Sequence, residues 1–197
     1  MNVHRFRPED LTGTYRVCLG TGDAGEDATR RHADPNLLGH LYVGPYVCLE
    51  PHHAFVLRDG VEVLGYALGA LDTASFEERA EKHWWPPLRA MYLPDTPRGE
   101  ADSALVRAVH TPDPSSARLL ANYPSHLHID ILPRAQGRGY GRALIEEVVE
   151  SLFRAGSTGI HLGVTRSNEG AIGFYEHLGF QNLQAHGEGL VMGRVAP

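Results

Sequence analysis

Residues 126–132, His-Leu-His-Ile-Asp-Ile-Leu, alternate without a break: Leu127, Ile129 and Ile131 take one face, and His126, His128 and Asp130 the other. A period of two residues predicts a β-strand with one polar face. Further on, the period changes. Over 142–155, Leu144, Ile145, Val148, Val149, Leu152 and Phe153 gather on one side, opposite Glu146, Glu147, Glu150 and Arg154. That spacing predicts an amphipathic helix, ended by Gly156 just past its last turn. A short strand over 160–164, a second helix over 168–178 closed by Gly179, and two last strands near 180–184 and 190–195 complete the pattern.

Upstream, residues 53–71 hold two apolar runs separated by Arg58-Asp59-Gly60, and Asp-Gly between such runs predicts a tight hairpin. Ser75-x-x-Glu78 reads as a capping box for a helix carrying Phe76, Ala80 and Trp84, stopped by Pro86-Pro87. Beyond it the pattern weakens. A short helix is expected over 104–109, and Pro94, Pro97, Pro112 and Pro114 imply loops, so 73–125 reads as a long insertion, either functional or mobile.

Composition adds boundaries. With 197 residues, 42% hydrophobic and 21% charged, the expectation is one globular domain spanning 1–197. Cys18 and Cys48 are too few for a disulfide framework and have no zinc-type spacing, which suits a reducing cytoplasm. A net charge of −6, with no run of five like charges, argues against nucleic acid as a partner. The opening Met1–Asp10 has no apolar signal segment and no stretch is long enough to span a bilayer, so no membrane association is expected.

Between the alternating strand and the amphipathic helix lies Pro133-Arg-Ala-Gln-Gly-Arg-Gly-Tyr-Gly-Arg142. Glycine lacks Cβ, so the amides of such a turn can converge on an anion while the helix dipole faces it, and a pyrophosphate is the natural ligand. A dinucleotide fingerprint fails, because Arg142 stands where its third glycine belongs, and a Walker loop is absent. A ligand-free glycine turn is the remaining alternative.

These residues resemble the GCN5-related N-acetyltransferase (GNAT) superfamily. Its Q/R-x-x-G-x-G/A signature is matched by Gln136-Gly137-Arg138-Gly139-Tyr140-Gly141, and Asn168-Glu-Gly-Ala171-Ile-Gly-Phe174-Tyr175-Glu-His-Leu-Gly-Phe180 looks like its second conserved helix. The resemblance covers roughly residues 126–185. Leu41–Tyr46, Gly65-Tyr66 to Asp72, Trp84-Trp85 and Tyr123–His126 are also similar to the acetyltransferase-like C-terminal domain of eukaryotic O-GlcNAcases. That domain is regarded as having a degenerate coenzyme loop, whereas this sequence keeps its glycines and Gln136.

The resemblance implies a mixed α/β (α+β) fold: a mostly antiparallel sheet, helices on both faces, and a splayed strand pair forming an acetyl-CoA cleft. It further implies acetyl-CoA as co-substrate, no metal, and an amine acceptor, with a homodimer left open. Carried over, Ile131 and Leu132 offer backbone contacts to the pantetheine. Gln136, Gly137, Arg138, Gly139, Tyr140, Gly141 and Arg142 hold the pyrophosphate, and Asn168, Ala171, Phe174 and Tyr175 face the coenzyme. Tyr175 is the candidate acid for the leaving thiolate, against the plainer role of a core tyrosine.

A strand covered on both sides should be apolar on both faces, so His126, His128 and Asp130 call for a cleft. Asp130 or His128 is the candidate base, against structural hydrogen bonding alone. Their types would also suit a metal, but nothing else has zinc spacing. The acceptor site is expected from the N-terminal helices and the insertion, with Leu41–Tyr46 and Trp84-Trp85 supplying aromatic surface. Glu50 and Asp72 read as cleft carboxylates or turn residues, and His52-His53 as a strand cap. Two functions follow: acetyl-CoA-dependent N-acetylation of a small-molecule or protein primary amine by direct attack, or an acetyl-CoA-binding sensor without transfer chemistry.

Overall fold

A computed structural model describes residues 1–187 and 189–197. The two apolar runs form strands β2 (Ala54–Asp59) and β3 (Glu62–Ala70). Their loop is Gly60-Val61, with Gly60 at φ +59°, so the turn falls one residue later than Asp59-Gly60 and Asp59 pairs with Glu62. Outside β2 lies β1 (Asn2–Arg5), and outside β3 lies β4 (Ser125–Ile131), both antiparallel. The sheet continues through β5 (Gly159–Thr165) and two last strands, β6 (Gln181–His186) and β7 (Gly189–Val195). Its order is β1-β2-β3-β4-β5-β7-β6, so β7 lies inside β6.

One junction differs from the rest. β4 and β5 run parallel and pair only at Ser125↔Ile160 and His126↔His161. From Leu127 and Leu162 onward both strands line an open cleft.

Helix α1 (Leu11–Leu19), α2 (Leu37–Tyr42) and α3 (Gly44–Leu49) cover one face of the sheet. There Val17, Cys18, Leu38 and Val47 bury against Val56, Tyr66 and Leu68. The other face receives the amphipathic helix, whose Leu144, Ile145, Val148 and Leu152 pack on Phe55, Leu57, Leu64, Ala67 and Leu127. A register shift at Leu57/Arg58 leaves Leu64 as an extra residue in β3. It sets Val63 and Tyr66 on one face and Leu64 and Ala67 on the other.

The insertion is more helical than its sequence suggests. Helix α4 (Thr73–His83) is capped by Asp72, which accepts the Ser75 N–H, rather than by Ser75 itself. Pro86-Pro87 do not stop a helix; they lie in the first turn of α5 (Trp85–Met91), where proline's missing N–H has no intrahelical acceptor to lose. A fuller helix, α6 (Glu100–His110), replaces the short one expected over 104–109, and a single turn, α7 (Ala117–Leu120), leads back toward the sheet. Leu88, Tyr92, Val106 and Val109 make a small core with Leu37 of α2. Trp84 and Trp85 pack against that core. The turn after β4 then leads into α8 (Tyr140–Arg154), and α9 (Glu169–His177) follows β5. Gly156 (φ +100°) and Gly179 (φ +83°) close these two helices as their positions predict. Among the described residues, no helix is long and apolar enough to cross a membrane.

Candidate functional site

The divergence of β4 from β5 opens a cleft of about 1500 Å³. One end is made by the strand-to-helix turn. Gln136 latches that turn to the strand end, its Nε2 donating to the Ile131 carbonyl at 2.8 Å. Gly137 (φ +72°) and Gly139 (φ +80°) then lead into α8 in the left-handed region, and a Cβ on either would meet nothing within 4 Å. The space above them is an open cradle. Among the described residues, no group accepts from the six consecutive amides of residues 137–142, and no side chain caps α8. Free donors at the positive end of a helix dipole fit a phosphate chain.

Gln136, Gly137, Gly139, Gly141, Arg142 and Ile131 line the cleft. Arg138 and Tyr140 do not line it, and Tyr140 packs against the core instead. Leu132 departs from the expected contact: its N–H donates to Leu64 O and its carbonyl accepts from Ala135, so neither group is free for a ligand.

Asn168, Ala171, Phe174 and Tyr175 line the opposite wall. Asn168 caps α9 by accepting the Ala171 N–H at 3.0 Å, and its Nδ2 donates to Ala24 O at 3.1 Å. The same side chain therefore braces the loop after α1. Phe174 approaches so closely that a Cβ on Gly141 would stand 3.1 Å from its ring. Tyr175 is only 8% exposed, and burial, with the Asp130 charge second, drives its phenol well above the ordinary range. It keeps its proton through neutral pH.

The other end of the cleft holds the polar face of β4. In the β3–β4 register Tyr66 stands opposite Asp130, and its hydroxyl donates to Asp130 Oδ2. The same hydroxyl is 3.1 Å from His128 Nε2, which is itself 3.3 Å from Asp130 Oδ2. Burial first, and then the Asp130 charge, pushes the Tyr66 phenol well up, which fixes it as a donor. Tyr42 stacks on the His128 ring with centroids 5.6 Å apart. Asp130 Oδ1 has no protein partner among the described residues.

His126 belongs elsewhere. Its Nδ1 meets Thr73 Oγ1 at 2.8 Å, Tyr46 and Phe76 pack edge-on against it, and burial, with His161 and His128 adding, pushes it down to about 3. The metal-type cluster that does form is Cys18, His128 and Asp130, with ligand atoms within 4.8 Å of one another. Burial and the Asp130 charge push the Cys18 thiol up to about 12, which disfavours the thiolate a metal would take.

Other expected residues have structural work. Trp84 donates from Nε1 to His40 O, and neither tryptophan lines the cleft. From the insertion the cleft receives Ala101, Ala104 and Leu105 of α6 instead. Glu50 pairs with Arg79, Asp72 is the α4 cap, and His53 bonds Ser151 Oγ at 2.8 Å. Tyr66 and Cys18 carry no mark of a site in the sequence, whereas Tyr42 lies in the Leu41–Tyr46 stretch expected at the acceptor site and does line the cleft. Only the β3–β4 register, which sets it beside Asp130, could have pointed to Tyr66.

Comparison with known proteins agrees with this geometry. The family described as "Acetyltransferase (GNAT) family" matches residues 27–180, well over half of the chain. A crystal structure of SsHAT superposes with a TM-score of 0.90 at 37% identity, covering 98% of this chain and 97% of that one. Protein O-GlcNAcase of Rattus norvegicus is 26% identical over 180 residues, which is 90% of this chain and 20% of the relative. The chain thus spans about a fifth of that relative's length. Mycothiol acetyltransferase of Beutenbergia cavernae is 29% identical over 122 residues, covering 61% of this chain and 37% of that protein.

Proposed function

This chain belongs to the GNAT acetyltransferase family, and from that premise we propose that it acetylates a primary amine by direct attack, with Asp130 as base and Tyr175 as acid. The carrying observation is the run of six amides, 137–142, that have no partner among the described residues and adjoin the same cleft as Tyr175 and Asp130. Enzymes of this family use acetyl-CoA. Bound here, it would supply the acetyl group and a thiolate leaving group.

The chain's own residues then divide the work. The amides of 137–142, with the α8 dipole behind them, hold the pyrophosphate. Ile129 and the Ile131 N–H offer β4 backbone that β5 leaves unpaired, the Ile131 carbonyl being held by Gln136. At the other end, Asp130 Oδ1 takes a proton from the bound ammonium and passes it to solvent, which frees the nitrogen lone pair to attack the thioester carbonyl; as the adduct collapses and its C–S bond breaks, Asp130 takes the second proton from nitrogen. Tyr66 and His128 hold Asp130 Oδ2 and so aim the free oxygen. Tyr175 gives its proton to the departing sulfur and regains one from solvent. Its raised acidity range ensures that the proton is present to give.

The test is a thiol-release assay with acetyl-CoA across a panel of primary amines and peptides, with hydrolysis as baseline. Amine-dependent release above that baseline is the expected result. Acetyl-CoA binding without transfer to any acceptor would instead favour a sensor.

A further inference from the structure

Across the cleft, the loop after α1 meets α6 in a pair that the transfer chemistry leaves unused. His32 Nδ1 lies 2.7 Å from Asp102 Oδ1, and Asp102 Oδ2 accepts the Ala33 N–H at 2.9 Å. Both side chains are more than nine-tenths buried, at 7% and 4% exposure. A carboxylate can only accept, so Nδ1 carries the hydrogen and Nε2 is the free ring nitrogen. No described residue hydrogen-bonds that Nε2, yet His32 lines the cleft. An imidazole fixed in one tautomer by a buried carboxylate, with its far nitrogen open, is built to meet a ligand.

Its surroundings indicate the ligand's charge. Asp23 and Glu26 line the same wall, while Arg31, the cation there, is tied to Asp23. With Asp102 behind His32 and Asp130 at the transfer end, carboxylates outnumber cations. Such a field favours a ligand that carries positive charge, and a neutral imidazole offers its N–H a lone pair at Nε2. Leu38, Tyr42 and Leu105 also line the cleft, and they suit a methylene chain.

We infer that His32 is an acceptor-binding residue that accepts a hydrogen bond from a second ammonium group, with Asp102 positioning it, so that the preferred acceptor is an α,ω-diamine. This rests on the transfer reading above and adds the substrate class. One amine is delivered to Asp130, and the distal ammonium is held at His32. The fold thereby gives α6, and with it the insertion, a part in selecting the acceptor.

Calorimetric titration of α,ω-diaminoalkanes and of monoamines of the same chain length into the full chain with coenzyme A tests this without relying on turnover. The diamine should bind about tenfold or more tighter, the scale of one hydrogen bond to a charged group. His32→Phe keeps a flat ring and removes Nε2, so it should erase that advantage and leave monoamine binding unchanged. His32→Gln, with a carbonyl near the Nε2 position, should keep part of it, and Asp102→Asn should weaken it. In thiol release the same preference should appear in KM, with kcat and the KM for acetyl-CoA nearly unchanged. Equal affinity for diamine and monoamine, or a diamine preference that survives His32→Phe in a chain with native melting, would overturn the inference. So would tighter binding of ω-amino acids than of diamines, since that requires an imidazolium. His32-dependent diamine binding without any thiol release would leave this site standing and overturn the transfer reading instead.

Discussion

The six amides at one end of the cleft that lack a partner among the described residues come from a single unbroken stretch, residues 137–142, whereas Cys18, Tyr42, Tyr66, His128 and Asp130 at the other come from four separate elements. The first end presents backbone, the second side chains. A backbone cradle depends on conformation, so its weak points are the glycines that must take positive φ. A side-chain end depends on identity, and its members can be exchanged without altering the backbone of the cradle. One cleft can therefore keep its coenzyme while its acceptor changes.

The largest expected effect removes chemistry and spares binding. Tyr175→Phe and Asp130→Asn should each lower kcat by about 10²- to 10⁴-fold, the usual contribution of acid or base catalysis, with acetyl-CoA affinity unchanged. Stopped assays with an accepted amine measure this. Undiminished turnover in either variant would break the division between the two ends.

Gly139→Val acts at the other end. No atom stands within 4 Å of the new Cβ, so the free chain should fold, losing only about 1–2 kcal/mol to the left-handed backbone at φ +80°. The side chain would then occupy the cradle. Losing one charge-assisted amide contact should weaken acetyl-CoA binding about 10- to 100-fold. Wild-type chain at about 100 Kd of acetyl-CoA should gain roughly 2.7 kcal/mol, seen as a higher melting temperature, and the variant at the same concentration much less. Equal stabilisation of both would place the coenzyme elsewhere.

The smallest effect should touch neither end. Burial, then His161 and His128, lowers His126 from its ordinary 6.5 to about 3, so the unfolded chain binds a proton in that window that the folded chain refuses. Stability therefore rises with pH there and falls as pH drops from 6.5 toward 3. Between pH 7 and 5 this group should cost about 2 kcal/mol of stability, on the slope of one proton. His126→Asn keeps a partner for Thr73 and removes the titration, so its melting temperature should fall less on acidification. Coenzyme affinity should not change with it.

Legibility from sequence follows the same line. The β4, α8 and α9 elements were readable because each rests on local periodicity, and the glycine turn because its residues are adjacent. His32 and Asp102 are 70 positions apart and carry no local mark. Tyr66 reads as one more apolar strand residue until the hairpin is laid against β4. The insertion misled for a physical reason: Pro86-Pro87 is compatible with both the end of one helix and the start of another, and only the packing of Trp84, Trp85 and Leu88 on the α2 core decides. The same packing removes the tryptophans from the acceptor end.

The two-pair contact between β4 and β5 has a consequence for how copies of this chain avoid one another. A strand edge with unpaired backbone groups ordinarily invites a strand from another molecule, and proteins shield such edges at the rims of their sheets. Here the open edge lies at the middle of the sheet, walled by α9 on one side and by α6 and the loop after α1 on the other. A foreign β-strand would have to thread that gap lengthwise, while a slender molecule with a few amides of its own can enter end-on. This open backbone is thus kept where self-association is hindered and a small guest is admitted.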